Sequence, residues 1–120
     1  MDEVQQVFNK YIRLRDKHEP CISCQRHDVV QFQAGHFRTI GAHPELRFHE
    51  LNVHKQCSQC NDYHSGNLIE YRKNLEKKIG KEAVAWLEGP HLLPRYTIED
   101  LKKLKAYYKD KIKELEQQAA

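Results

Sequence analysis

The sequence predicts a small α+β domain, and three observations carry that prediction. Apolar residues recur at helical spacing at both ends of the chain, a β-like stretch alternates in the middle, and two C-x2-C pairs bracket that stretch. At 120 residues the chain is long enough for one domain and short for a large core. It divides into an N-terminal helix (1–18), a cysteine-bound core (19–80) and C-terminal helices (81–120).

Val4, Val7, Phe8, Tyr11 and Ile12 lie on one helical face, so about Asp2 to Lys17 should form an amphipathic helix that stops near Pro20. From Val29 to Phe37, Val30, Phe32 and Ala34 alternate with Gln31, Gln33 and Gly35, which predicts a strand with His36 at its end. Arg38 to Glu50 mixes Gly41, Pro44, two histidines and both charge signs without a period, and reads as a long surface loop. Asn52 to Gln56 is short and extended. A helix is expected to begin near Cys57 and Cys60, and Leu68, Tyr71, Leu75 and Ile79 continue its stripe to Gly80. Ala83 to Leu87 add a short helix before Gly89-Pro90. Thr97 with Asp100 forms a capping pattern, and Leu101, Leu104, Tyr108, Ile112 and Leu115 give the last helix one apolar stripe.

A formal net charge of +3 and a pI near 8.6 are compatible with a polyanionic partner without requiring one. No apolar run reaches the roughly 20 residues of a membrane span, and the N-terminus lacks the order of a signal peptide. The expectation is a soluble, intracellular protein with no membrane partner.

Cys21-x2-Cys24 and Cys57-x2-Cys60 are the strongest chemical signal. Paired thiolates in a reducing compartment present a tetrahedral site to one Zn²⁺, and four cysteinates leave no open position for water. That ion should therefore be structural. Between and after the pairs stand His36, Asn52, Asn61 and His64, in the order of the ββα-metal, or HNH, nuclease pattern. The chemistry needs each type. A neutral imidazole can take a proton from water, an asparagine can bond backbone across the loop and aim it, and a divalent ion must sit against the scissile phosphate. Asn61 and His64, three apart, are expected on one face of a helix.

The runs "PCISCQR", "QAGHFR", "PELRF", "NVHKQCSQCN", "SGNLIEYR", "IGKEAV" and "YTIEDLKKLKAYYKDKIKEL" together resemble the NinG/Rap family of lambdoid phage recombination endonucleases over nearly the whole chain. Members are longer, and the chain looks like their C-terminal nuclease domain. The resemblance implies an HNH-like fold and a structure-specific endonuclease that cuts branched DNA, including Holliday junctions and D-loops, in the cytoplasm of the phage's bacterial host. It implies His36 as general base, Asn52 as the orienting asparagine, Asn61 as ligand of a catalytic Mg²⁺ or Mn²⁺, and the four cysteines as the zinc site. His64 is the candidate second ligand of the catalytic ion. Gly35 stands where many HNH enzymes carry an aspartate, and Gln33 where family members carry an acid, which leaves His64, Asp62, another loop histidine or His36 itself to complete that site. Arg38, Arg47, His54 and Lys55 flank it and are the expected phosphate contacts. Symmetric junction cleavage suggests a homodimer, with other recombination proteins as further partners. The alternative reading is a non-catalytic, zinc-stabilised module that binds DNA or a partner protein.

Overall fold

The computed structural model describes residues 1–119, with side chains to Gln118. Helix α1 spans Asp2–Arg15, acidic in its first turn and basic in its last, as the helix dipole favours. It buries Val4, Phe8 and Ile12, one residue per turn. Strand β1 (Phe32–His36) pairs antiparallel with β2 (Val53–Cys57), in a register that sets His36 opposite Val53 and Phe32 opposite Cys57. The strand is shorter than its alternation predicts. Val30 lies outside it and is fully exposed, because the ribbon ends where the cysteine knuckle begins.

This two-stranded ribbon divides the core in two. Ala34 and Val53 pack with Val4, Phe8, Phe48 and Tyr108 on one side. Helices α2 (Leu68–Ile79) and α3 (Lys81–Glu88) cover the other, where Tyr71, Leu75, Val84 and Leu87 join Ile22, Phe37 and Leu46. Tyr71 is fully buried and donates its hydroxyl to the Gly35 carbonyl at 2.6 Å. Helix α4 (Ile98–Ala119) opens on the expected capping box, with Thr97 and Asp100 bonding each other's backbone amides at 3.1 and 3.0 Å. Its Tyr108 meets Phe8 edge to face at 4.8 Å, and the Tyr108 and Tyr11 hydroxyls both donate to Glu50.

Two expectations need correction. The segment from Arg38 to Glu50 is not a surface loop: a 3-10 turn at Pro44–Leu46 drives Leu46 and Phe48 into the core. Nor does a helix run on from the second cysteine pair. Gln59–Tyr63 form one π-helical turn, then Ser65, Gly66 and Asn67 take positive φ angles of 48°, 83° and 43° before α2 starts. No helix among the described residues is long and apolar enough to cross a membrane.

Candidate functional site

The cysteine centre is built from two backbone turns pressed together. Ile22 donates its amide to the Lys55 carbonyl at 2.9 Å, which pins the first knuckle to β2 just ahead of the second. Within each knuckle the fourth residue's amide points at the first residue's sulfur, Cys24 to Cys21 and Cys60 to Cys57, both at 3.4 Å. All four sulfurs lie within 4.8 Å of one another, with Cys24 and Cys57 at 3.8 Å. A tetrahedral zinc with Zn–S bonds of about 2.3 Å requires sulfurs about 3.8 Å apart, so the donor set fits that ion. None of the cysteines is in a disulfide. Burial pushes the Cys60 thiol up to about 12. Thiolates packed this closely need a bound dication to compensate them.

His36 ends β1 partly buried. Its Nε2 lies 3.0 Å from the Arg47 carbonyl, which can only accept, and 3.4 Å from the Gln5 amide nitrogen, which can only donate; the shorter carbonyl contact favours the proton on Nε2, with Nδ1 the basic nitrogen. Burial holds its pKa below the ordinary value; the carbonyl bond partly opposes this and the Arg47 guanidinium adds to it. Asn52, fully buried, accepts from the Arg38 amide at 2.8 Å and donates to the Arg38 and Leu46 carbonyls at 3.1 and 3.2 Å. It therefore closes the intervening loop onto itself and fixes the next carbonyl, Arg47's, beneath the imidazole. Gln5 of α1, which the sequence reading missed, donates to the same carbonyl at 3.3 Å and accepts from the Arg47 Nε at 2.8 Å. Its one early signal was a polar residue beside the apolar face of α1.

Asn61 stands elsewhere. It donates to the Gln33 side-chain oxygen, and Gln33 donates in turn to Asp62 at 3.1 Å. Residues 33 and 36 project from opposite faces of β1, so His36 and Asn61 do not share one side of the ribbon. The helical face expected for Asn61 and His64 is absent, because both sit on the π-helical turn and its end. The His64 side chain is exposed and makes no hydrogen bond among the described residues. Gly35 leaves no space for a ligand. A Cβ there would lie 2.0 Å from the Gln56 side-chain oxygen and 2.8 Å from its Cβ. Gln56 cannot swing away, being fully buried and bonded through its amide to Ser23 and the Gly66 carbonyl.

Of the expected phosphate contacts, Arg38 and Arg47 are partly exposed at the loop, Arg38 against His43 and Arg47 over the Phe48 ring. His54 and Lys55 must be withdrawn from that role. His54 is 2% exposed, donates to the Leu51 carbonyl and presents Nδ1 to Arg15 and Lys78. Burial first, then those two cations, drives its pKa down to about 3. The Lys55 ammonium is bound by the Lys17 and Glu19 carbonyls and lies 3.9 Å from the Phe32 ring centre. Both belong to a buried hub around Asp16, whose carboxylate takes Arg15, Lys78 and the Lys55 amide.

These features define a small α+β protein organised round a four-cysteine cluster able to hold a metal ion, with a carbonyl-anchored histidine at the end of its ribbon. The chain belongs to the NinG family: the profile described as Bacteriophage Lambda NinG protein matches residues 1–118. It is 50% identical over 113 residues to Protein ninG of Escherichia phage lambda, covering 94% of this chain and 55% of that relative. Identity to Protein ninG of Escherichia phage 933W and of Salmonella phage P22 is 48% over 113 residues, covering 94% of this chain and 56% of each. The chain thus spans a little over half the length of the curated relatives it matches. No solved structure matches it. Membership of the NinG family, drawn from the sequence motifs, is borne out.

Proposed function

We propose that the chain is a metal-dependent endonuclease domain that hydrolyses phosphodiesters in branched recombination intermediates such as Holliday junctions and D-loops. The observation that carries the reading is the favoured tautomer of His36, anchored at Nε2 and kept neutral by burial. A structural histidine has no need of a free, basic Nδ1 at a strand end; a general base does. His36 removes the proton from the attacking water, Asn52 positions it through the Arg47 carbonyl, and Arg38 and Arg47 hold the backbone. Asn61, Gln33 and Asp62 offer two amide oxygens and one carboxylate, hard donors suited to Mg²⁺ or Mn²⁺, with exposed His64 on the same stretch of chain. Because this trio lies on the face of β1 opposite His36, an ion held there would neutralise backbone phosphate on its own side of the ribbon, and one acting at the scissile phosphate and the departing 3′ oxygen would have to sit at the strand end beside His36. A homodimer acting in the host cytoplasm would suit paired cuts across a symmetric junction.

Gly35, sealed by Gln56, favours one alternative, a DNA- or partner-binding module without catalysis. A His36→Ala protein separates the two. It is expected to keep its zinc, its circular dichroism and its affinity for a four-way junction, and to lose Mg²⁺- or Mn²⁺-dependent nicking by about 10²-fold or more. Unchanged nicking overturns the assignment of the base. Absence of nicking by the unsubstituted chain with either ion favours the binding module.

A further inference from the structure

We propose that the lysine ridge of α4 is a second nucleic-acid contact, a rail for the phosphate backbone of a duplex arm leading away from the His36 end. The inference rests on the DNA reading above and adds a surface that reading does not use. Lys102, Lys105, Lys109 and Lys113 recur at i, i+3, i+7 and i+11. At about 100° and 1.5 Å per residue they fall within an arc of about 80° and run for about 16 Å. The ridge cannot turn inward, because the neighbouring stripe of Leu104, Tyr108 and Ile112 is held against the core.

Across the groove stands Lys10 of α1, which lines it together with Lys109 and Lys113; Lys102 and Lys105 line the next groove along. Lys10, Lys102, Lys109 and Lys113 have no ion-pair partner among the described residues. Off the ridge, Arg72 is neutralised by Glu76 and Glu88, while Lys73, Lys77 and Lys81 carry no ion pair among the described residues and so provide an equal-charge comparison. Glu3, bonded to Lys105, and Glu116 line the same grooves, and Glu99 and Asp110 stand three residues before Lys102 and Lys113 on α4, so the four ridge lysines with Lys10 keep a local positive excess of one. Lysines in a row, without an exposed aromatic or arginine anchor among them, match a regular array of phosphates better than a protein interface, which needs such anchors.

The test uses the His36→Ala chain, so that binding is read without cleavage, and compares Lys102→Gln/Lys109→Gln/Lys113→Gln with Lys73→Gln/Lys77→Gln/Lys81→Gln. Both triples remove the same charge, and glutamine keeps helix propensity near that of lysine. Fluorescence anisotropy of a four-way junction with long arms is followed against KCl. The ridge triple is expected to flatten the slope of log K against log salt by about 2 to 3, near 0.9 per lost phosphate, and the other triple by less than 1. Equal changes from both triples, or none from the ridge, overturn the proposal. Nicking by the chain with native His36 is scored separately. An unchanged slope alongside nicking sinks the ridge alone, while a flattened slope without nicking leaves the ridge standing and sinks the nuclease reading.

Discussion

The His36 imidazole rests on the Arg47 carbonyl at 3.0 Å, while the Arg47 guanidinium turns back to Gln5 at 2.8 Å. One residue thus favours one tautomer of the histidine with its backbone and lowers the histidine's basicity with its charge. The folded pKa lies below the ordinary 6.5, so the neutral base persists as the pH falls through that value. A pH profile of junction nicking with Mn²⁺ is expected to have its rising limb centred below pH 6.5. A midpoint above 7 contradicts the burial argument.

The same sign governs stability at the buried hub. His54 has a folded pKa of about 3 against 6.5 unfolded, so its contribution is complete above pH 6.5 and is lost as the pH falls toward 3. Asp16, held down to about 2 by Arg15 and Lys78 against the opposing effect of burial, extends the loss below its ordinary 3.8. Urea unfolding between pH 7 and 4 should show the wild-type chain losing up to about 3 kcal/mol more than a His54→Gln chain. Zinc release is common to both and cancels in the comparison. At neutral pH, Asp16→Asn is expected to cost about 3 to 5 kcal/mol, since it leaves Arg15 and Lys78 without their carboxylate.

The cysteine centre should behave as structural rather than catalytic. Purified protein is expected to carry one equivalent of Zn²⁺ by elemental analysis, and a strong chelator should collapse the tertiary signal along with the metal content. The loss is on the order of 10 kcal/mol, the scale of structural zinc sites. Cys57→Ser, at a buried ligand, should unfold the chain outright. A folded, zinc-free protein in the presence of chelator contradicts this.

At Gly35 the expectation is steric. Gly35→Ala pushes a methyl group into Gln56 and should lower stability by about 2 kcal/mol or more in urea titrations. Gly35→Asp should do worse and recruit no ion. Gln33→Asp, placed beside Asn61 and Asp62 on the partly open side, should instead tighten Mn²⁺ binding in calorimetric titration. Equal effects of the two aspartates on ion affinity would contradict the assignment of the ion to Gln33 rather than Gly35.

Much of this was legible because its causes are local. Helical stripes in α1 and α4, the Thr97–Asp100 box and the paired cysteines each depend on spacings of three or four residues. The role of Asn52 was also readable, since a buried asparagine closing a loop needs only nearby backbone. What escaped depends on distant partners. His54 and Lys55 look like surface cations until Asp16 and the Lys17 and Glu19 carbonyls, far back in sequence, arrive to enclose them. Leu46 and Phe48 sat in a stretch without period, and only distant partners, Tyr71 and Leu75 around Leu46 and the rings of Phe8 and Tyr96 around Phe48, reveal why they turn inward. The π-helical turn was hidden because three consecutive positive φ angles, two of them at Ser65 and Asn67, oppose the propensity of ordinary residues.

The pairing of α1 with α4 has a consequence for how the chain is made. Tyr108 closes over Phe8, and Lys105 reaches Glu3 across 102 residues of sequence. On the ribosome α1 is synthesised well before α4, the helix that covers Val4 and Phe8. Until then the ribbon, its metal and α2 can assemble from contacts closer in sequence, while the apolar face of α1 waits. Folding of this domain is thus expected to wait on a docking step set by the synthesis of α4, and a stall in translation before Tyr108 leaves a sticky helix exposed.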